Sequence, residues 1–395
     1  MLDLHELLPD GDPLAPYEAS LAQSRGAPPV RRAWAAARLV LRESYATVLH
    51  EPKASFDPAE LAPHVDWDAT ANLRRRLDQA GFGIAEAMDT AQRFRIGWEL
   101  ASELMRRTGA MGLSHGFIGG AGTDHAPSAR TPGDLGRAAA EQVRFIQAAG
   151  GDAILLPLIP LGRADAPPED YVTVYDAILA ATEGPLLVHW LGAAFHPDLG
   201  NYFPKDSFEQ VMALDRERLV GVKLSLLDAP REVRIRRQLL EHGQVVLSGD
   251  DWNFSRLVQG TDPRVHQVRH FAGAPLPVGD FSHALLGVLD GTYRAFGLAL
   301  ELLARGDEDG YLELAAHAEA FGRHVFSAPT QAYKTGLAFR AWLAGEQRNF
   351  LLAGHEERLR NQTHLLEVAR LAAACGAIGD PEAARERLRA LWPQN

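Results

Sequence analysis

The sequence predicts an α/β protein, a (β/α)8 or TIM barrel with a helical C-terminal extension. Short apolar runs of the β type alternate with helical stretches, and successive runs are about 30 residues apart, the length of one βαβ unit. Such alternation implies parallel strands joined by right-handed crossovers, and seven or eight repeats favour a closed barrel. The 395 residues are enough for a barrel of about 250 residues and an added helical region.

Eight strands are predicted along the chain, with helices between them. The strands cover residues 45–50, 82–88, 114–120, 153–159, 185–190, 219–226, 244–250 and 284–289, and the first helices cover 69–80 and 94–108. From residue 292 onward only helical periodicity is found, over 298–303, 311–325, 357–374 and 381–391. The predicted division is therefore a leader over 1–44, a barrel over 45–303 and a helical region over 304–395.

Composition narrows the class of protein. The formal charge of -11 argues against nucleic acid or an anionic membrane as a partner. The single Cys375 cannot form an internal disulfide, and no Cys/His spacing indicates a zinc site. No secretory signal and no uncharged apolar run of about 18 residues is found. A cytoplasmic protein is expected.

Lys223 is the most informative residue, because the chain has only four lysines among its 40 basic residues. In the sixth predicted strand, alternation puts the valines and leucines on one side, and Gly221, Lys223 and Ser225 on the other. Burial lowers the pKa of an amine, and a neutral amine attacks a carbonyl to form a Schiff base. The alternative is a lysine at a strand end that extends to solvent or pairs with a carboxylate.

Two motifs carry a family resemblance. The sixth strand contains Gly221-Val-Lys-Leu-Ser225, and the seventh ends in Ser248-Gly-Asp-Asp251. Together they resemble the dihydrodipicolinate synthase/N-acetylneuraminate lyase family of class I aldolases, over residues 45–303 and the helical tail. The resemblance implies a (β/α)8 barrel in which Lys223 forms an imine with a 2-oxo acid or a related, sugar-acid-like carbonyl compound.

Two segments depart from the family pattern. Where the family has Gly-Thr-Thr-Gly-Glu after the second strand, this chain has Glu86-Ala-Met-Asp-Thr-Ala91. Carboxylates repel a substrate carboxylate, so dihydrodipicolinate synthesis from pyruvate and aspartate semialdehyde is not expected. Where the family has the tyrosine of Tyr-Asn-Val-Pro, this chain has His189-Trp-Leu-Gly192. The proton carrier would then be the imidazole of His189, with a core histidine as the alternative.

Five residues are predicted to bind substrate, and most have a structural alternative. Glu86 either points into the site or pairs with an arginine. At the end of the first predicted strand, His50 is favoured as a capping or solvating residue, and Asp250 and Asp251 are favoured as caps of a helix near Asn253. The glycines at 119–122 indicate a tight turn more than an anion site. The substrate-binding candidates are Glu86, Thr90, His50, Ser225 and Asp250.

The resulting hypothesis is a class I aldolase-type lyase or hydro-lyase, with Lys223 and His189 catalytic and no cofactor or metal. Its partner would be a small carbonyl compound. One alternative is a metal-dependent barrel isomerase or aldolase with Glu86, His189 and Asp250 or Asp251 as ligands. Another is a barrel that binds a small molecule without catalysis. The substrate, the direction of reaction and the oligomeric state, a homo-oligomer included, stay open.

Overall fold

The computed structural model describes residues 3–23, 27–52, 54–88 and 90–393, without the side chains of residues 90 and 91. The chain forms two compact units. The barrel unit consists of Arg31–Ala36 and Gly83–Leu286, and the helical unit consists of Met1–Val30, Ala37–Phe82 and Gly287–Asn395. No described helix is both long and apolar enough to cross a membrane.

Eight parallel strands of the barrel unit close into a barrel in the order β1-β10-β7-β6-β5-β4-β3-β2. The predicted fold class is therefore confirmed. An antiparallel hairpin, β8 and β9, is inserted before the last barrel strand. The strands are β1 Ala33–Ala36, β2 Gly83–Glu86, β3 Phe117–Ala121, β4 Asp152–Leu155, β5 Leu186–Leu191, β6 Leu219–Ser225, β7 Val245–Ser248, β8 Gln267–Phe271, β9 Ala274–Val278 and β10 His283–Leu286.

α-Helices separate most of the barrel strands and make up much of the C-terminal region of the described chain. They are α1 Leu4–Leu7, α2 Ala15–Ala22, α3 Trp67–Gln79, α4 Thr90–Gly109, α5 Pro132–Ala148, α6 Ile159–Arg163, α7 Pro168–Ala181, α8 Ser207–Ala213, α9 Ala229–Leu240, α10 Phe254–Gln259, α11 Leu289–Ala304, α12 Glu308–Val325, α13 Lys334–Leu343, α14 Gln362–Ala374 and α15 Pro381–Leu391. Short 3-10 helices cover Glu43–Thr47, Pro58–His64, Pro197–Leu199, Thr330–Ala332 and Ala353–Leu359.

Seven of the predicted strands overlap barrel strands, but the first was wrong. Residues 45–50 overlap a 3-10 helix, whereas the first strand is β1, inside the predicted leader. Three of the four residues in its sequence Ala-Trp-Ala-Ala are alanines, which are depleted in strands, so the strand signal is weak. The packing of Trp34 determines the position of this strand instead. Its ring lies over the paired Gly83, where a Cβ would be only 2.3 Å from the ring. The rest of the predicted domain division stays a prediction.

The hairpin closes the N-terminal end of the barrel. Phe271, Leu276 and Val278 belong to the same buried cluster as the inward residues of the barrel strands. A hydrogen bond attaches the hairpin turn to the start of a barrel strand. Ala272 N donates to the side chain of Asp152, the first residue of β4, at 2.6 Å. Parallel-barrel enzymes carry their sites at the other end, where the strands finish. Because the hairpin closes the N-terminal end, a functional site is expected at the C-terminal end of the barrel.

The C-terminal helical region is present, although its prediction missed α13. This helix is buried on nearly every side, from Lys334 to Leu343, so its sequence lacks an amphipathic period. The predicted helix over 357–374 begins later, at Gln362, because Gly354 and His355 take left-handed conformations in the preceding 3-10 helix. In the core of this unit the Arg38 guanidinium pairs with Asp290.

Candidate active site

Lys223 lies inside the barrel, in β6. Its side chain is only 7 % exposed. In the strand register it pairs with His189 of β5 and with Leu247 of β7. Leu247 belongs to the buried cluster of the barrel interior, and paired residues of parallel strands face the same side of a sheet. Lys223 and His189 therefore face the lumen next to each other, near the C-terminal ends of their strands.

The imidazole of His189 is buried and neutral. Its Nε2 lies 3.2 Å from Ser225 Oγ, while its Nδ1 has no hydrogen-bond partner among the described residues. Burial first, and then the positive charge of Lys223, hold the pKa of His189 well below its ordinary value of 6.5. Ser225 is buried as well. Three of the predicted site residues, Lys223, His189 and Ser225, are therefore brought together.

Gly249 leaves room for the side chain of Lys223. It follows β7, and its amide donates to Leu224 O at 2.7 Å. A Cβ at this position would lie 2.2 Å from Ser225 Oγ and 2.6 Å from Lys223 Cε, closer than atoms can pack. Any larger residue there would force the side chains of Lys223 and Ser225 to move. Sequence reasoning quoted this glycine within the Ser-Gly-Asp-Asp motif but assigned it no role.

The acids after β7 hold the turn that follows Gly249. Asp250 accepts hydrogen bonds from Trp252 N at 3.0 Å and from the Asn253 amide, at 3.0 Å to its nearer oxygen. Its own amide donates to Ser248 Oγ at 3.3 Å. Both Asp250 and Asp251 are buried. These contacts suit the structural alternative for Asp250, and substrate contact stays a prediction.

Glu86 points away from the lumen, which suits a structural role, and substrate binding by Glu86 stays a prediction. It follows Ala85, a residue of the interior cluster, and therefore faces the helical layer. Its carboxylate accepts from Thr108 Oγ1 of α4 at 2.7 Å and from Ala87 N at 3.1 Å. Thr90 begins α4, but its side chain lies outside the described part of the chain, as does residue Asp89.

His50 belongs to the helical unit, where its polar atoms are engaged. Its Nδ1 lies 2.9 Å from the Tyr45 hydroxyl and its Nε2 lies 3.1 Å from Glu60. The ring stacks on Phe56 at 4.2 Å between centroids. The Tyr45 hydroxyl also accepts from Gly354 N at 2.8 Å. This arrangement suits a structural histidine, the interpretation favoured from the sequence, and substrate binding by His50 stays a prediction.

The glycine-rich segment after β3 is held by a polar side-chain network. Gly122 N donates to Gln142 Oε1 at 2.7 Å. Arg93 Nη2 donates to the same oxygen at 3.0 Å and to Asp124 at 2.8 Å. The Gly122 amide is therefore engaged within the fold, as in a structural turn.

A cavity of about 760 Å³ opens beside this segment. Its lining includes Phe94, Gly122, Leu156, Pro157 and His196. Phe94 belongs to α4, and the other four follow barrel strands, on the side of the barrel where the strands finish. Sequence reasoning missed the cavity, because it forms from loops whose contacts follow only from the closed barrel.

A buried acid behind β7 was also missed. Glu232 of α9 accepts from Ser282 Oγ at 2.8 Å and from Ser248 Oγ at 3.1 Å. Burial raises the pKa of Glu232 to about 8; the hydroxyls and Arg236 oppose this rise, and the negative charge of Asp250 adds to it. Glu232 is therefore largely protonated at neutral pH. It contacts Ser248, the residue before Gly249.

Comparisons with known proteins agree with this architecture. One similar structure is a putative dihydrodipicolinate synthase family protein from Coccidioides immitis, with 17% identity, a TM-score of 0.59, and 90% of this chain and 98% of that chain covered. Another is CdNal from Clostridium difficile in complex with mannosamine, with 11% identity, a TM-score of 0.60, and coverages of 87% and 98%.

A third similar structure is a prophage protein of the dihydrodipicolinic acid synthase family from E. coli K12, in complex with pyruvate. It has 12% identity, a TM-score of 0.57, and coverages of 86% of this chain and 99% of that chain. A search of curated proteins finds no match.

These similarities confirm the predicted resemblance at the level of the fold. At such low identity they do not extend to a substrate. A family model described as "Protein of unknown function (DUF993)" matches residues 14–394, nearly the whole chain. The chain is therefore a member of the DUF993 family, built on the barrel fold of the dihydrodipicolinate synthases and N-acetylneuraminate lyases.

Proposed function

We propose that this protein is a Schiff-base-forming lyase or hydro-lyase of the class I aldolase type, acting on a 2-oxo acid or a related carbonyl compound. The observation that carries the proposal is the position of Lys223. Its amine is buried in the lumen beside His189, in space that Gly249 leaves open. A sugar-acid-like substrate, expected from the sequence, is one member of this class.

The chemistry begins with the neutral Lys223 amine. Its nitrogen attacks the substrate carbonyl carbon, a C–N bond forms, and the carbonyl oxygen leaves as water. The protonated imine then draws electrons from the neighbouring carbon. In the cleavage branch, the β-hydroxyl loses its proton, the C–C bond one carbon further breaks, an aldehyde leaves, and the resulting enamine takes a proton. In the dehydration branch, the neighbouring carbon loses a proton to give an enamine, and the protonated β-hydroxyl then leaves as water to give an unsaturated imine. In both branches water hydrolyses the imine to free the product and the amine.

His189 is proposed to carry protons during these steps. Since its imidazole is neutral, it can accept a proton from a substrate hydroxyl and return it later. The Ser225 hydroxyl, 3.2 Å from His189 Nε2, could relay that proton towards the substrate. The unpartnered Nδ1 offers a second polar atom for this exchange.

The alternative of a metal-dependent barrel fits the side chains less well. It would need Glu86, His189 and an acid after β7 to converge on one ion, but Glu86 faces α4. Among the described residues, no group of three or more His, Cys, Asp or Glu side chains has an arrangement that could hold a metal ion. A barrel that binds a carbonyl compound without turnover would have the same lumen. Only an assay of turnover distinguishes it from the proposed enzyme.

Borohydride trapping tests the proposal directly. The protein would be reduced in the presence of pyruvate, benzylpyruvate or 2-keto-3-deoxygluconate, and the adduct located by mass spectrometry. We expect at least one acid to add irreversibly to Lys223 in the wild type. Lys205→Ala removes an exposed lysine of the same unit and should keep the adduct, whereas Lys223→Ala should lose it. An adduct that survives Lys223→Ala, or efficient turnover by that variant, would disprove the imine mechanism.

A cytoplasmic location and a homo-oligomeric assembly also stay proposals. The single cysteine, Cys375, is buried, and burial raises its pKa to about 12. A thiol of this kind is unreactive and suits a reducing compartment. Fractionation of cells and sedimentation of the purified protein would test these two points.

A further inference from the structure

We infer that the cavity at the ends of β3 and β4 receives the non-reacting part of the substrate, and that this part is apolar and of the size of an aromatic ring. The inference rests on the proposed function, because it takes Lys223 as the reacting group. It also narrows that function, since it favours an apolar carbonyl compound over a polyhydroxylated sugar acid.

The strand register connects the cavity to the lysine. Leu155 of β4 pairs with Val188 of β5, so the next residue, Leu156, lies level with His189. His189 is in turn level with Lys223. Leu156 belongs to the buried interior cluster and also lines the cavity. With strands about 4.8 Å apart, the cavity wall begins roughly 10 Å from the Lys223 backbone, within reach of one extended substrate.

One wall of the cavity is aromatic. Phe94 is 41% exposed, which is unusual for a phenylalanine in a folded protein. Its ring meets the ring of His196 edge to face, with centroids 6.3 Å apart. Burial is the main cause that lowers the pKa of His196, so this ring is largely neutral at pH 7. An exposed apolar side chain that lines a concave site is typical of ligand binding.

Three prolines reduce the number of backbone hydrogen-bond donors in the cavity wall. Pro127, Pro157 and Pro160 line it, and proline has no backbone N–H group. Their fixed backbone angles also make the wall rigid before a ligand binds, which lowers the entropic cost of binding. A polyhydroxylated chain needs donors and acceptors along its whole length, whereas an apolar ring needs none.

Most of the polar side chains in the lining are already engaged. Asp124 Oδ1 accepts from Arg93 at 2.8 Å, and Arg163 donates to Asp198 at 3.0 Å. The His196 Nδ1 accepts from Asp198 N at 3.3 Å. Asp124 Oδ2 is a buried acceptor without a partner among the described residues, and it could take one hydroxyl at most. Thr123 and Arg130 also line the cavity, and Arg130 Nη1 donates to Ala129 O at 2.9 Å. The polar atoms are therefore confined to a few side chains, and a sugar hydroxyl bound away from them would be left unpaired, at a cost of about 1–3 kcal/mol.

The size of the cavity suits this assignment. Its volume of about 760 Å³ falls within the range of roughly 300–1,000 Å³ that small-molecule sites occupy. It is larger than pyruvate or a short aldehyde would need. The apolar lining includes Ala126, Ala129 and Ala164, whose small side chains leave room for a ring.

Two matched variants test the cavity. Ala164→Trp places a large ring at an exposed position of the lining, where misfolding is not expected. Ala180→Trp makes the same change at an exposed position of α7 outside the cavity lining. Each protein would be titrated calorimetrically with phenylbutanoate, an unreactive aromatic acid, and reduced with borohydride at increasing pyruvate, benzylpyruvate or 2-keto-3-deoxygluconate.

We expect benzylpyruvate to half-saturate trapping in the wild type at a concentration at least ten-fold lower than either other acid. Ala164→Trp should remove this preference and weaken phenylbutanoate binding about ten-fold. Ala180→Trp should behave as the wild type does. Equal affinity for all three acids, a preference for the sugar acid, or an aromatic preference unaffected by Ala164→Trp would overturn the cavity assignment.

The two proposals fail in different ways. A protein that binds phenylbutanoate in an Ala164-dependent manner but traps no carbonyl compound would keep the cavity as an apolar-acid site and overturn the imine chemistry. A protein that traps pyruvate on Lys223 but does not bind phenylbutanoate would keep the imine chemistry and overturn the cavity assignment.

Discussion

Two lysines of the described residues, Lys334 and Lys223, are buried, one in each compact unit. In the helical unit Lys334 of α13 is fully buried and contributes, with Arg38 and Arg340, to the positive potential at Asp290. Although burial alone would raise it, these three cations hold the pKa of Asp290 below its ordinary value of 3.8. In the barrel unit Lys223 acts on a neutral imidazole, that of His189.

Position, rather than burial, separates the two lysines under the proposed function. Lys223 lies level with His189 in the barrel lumen, where the proposed carbonyl compound would bind. Lys334 lies in α13, which is buried on nearly every side, and acts on the carboxylate of Asp290. Burial alone would have made the two residues equal candidates.

Replacing each of the two lysines in turn by alanine gives the largest expected effect. Lys223→Ala should abolish turnover while the protein stays folded, because the side chain faces a lumen. Lys334→Ala should keep borohydride trapping at Lys223 but lower the free energy of unfolding by about 3 kcal/mol, since Asp290 loses a buried partner. Turnover and urea unfolding of both variants would check this. Near-normal turnover in Lys223→Ala would refute the contrast.

The neutral neighbour of Lys223 is tested by His189→Phe. This variant should still form a trappable imine but turn over about two to four orders of magnitude more slowly, the usual effect of one acid–base group. Because the pKa of His189 lies well below 6.5, the rise of rate with pH that it causes should also lie below pH 6.5. Normal turnover in His189→Phe would leave water as the proton carrier.

The space around the reactive amine is tested by Gly249→Ala. The added methyl group overlaps Lys223 Cε and Ser225 Oγ, so the rate of imine trapping should fall at least about ten-fold. Gly379→Ala is the matched control, because a Cβ there meets nothing within 4 Å. Equal trapping rates in both variants would show that the lysine does not need this space.

A second pair of groups, two buried acids, sharpens the comparison. Glu232 has a raised pKa of about 8, whereas the pKa of Asp290 is lowered. A raised carboxyl pKa stabilises the folded state fully below about pH 4.5, and this stabilisation is lost as the pH rises through about 8. Glu232→Gln should therefore gain stability relative to wild type between pH 5 and pH 9, by about 2–4 kcal/mol.

Urea unfolding of wild type and Glu232→Gln across this pH range measures that difference directly. Other titrating groups are the same in both proteins, so their contributions cancel. Parallel stability curves would contradict a protonated Glu232 in the folded protein.

The sequence predicted the barrel and the central lysine because both depend on local patterns. Seven apolar runs coincide with barrel strands, and the position of Lys223 in the sixth strand follows from chain order. The strand β1 was missed because its three alanines give only a weak strand signal. Its position depends on Trp34 packing in the lumen, which is a tertiary effect.

The direction of Glu86 could not be predicted from alternation alone. Simple alternation groups it with Ile84 and Met88, but Ala87 adopts a left-handed backbone with φ 47. This turn directs Met88 into the interior cluster and leaves Glu86 facing α4. The cavity and the pKa of Glu232 likewise depend on contacts between distant segments, such as Glu232 with Ser282.

The hairpin floor has a kinetic consequence for any enzyme built on this barrel. Since Phe271, Leu276 and Val278 fill the N-terminal end, substrate and products would, under the proposed function, both pass the C-terminal end of the barrel. A departing fragment must therefore clear the passage before the next molecule enters. Products should compete with substrate for the free enzyme, and release of the bulkier fragment becomes a natural candidate for the slowest step of the cycle.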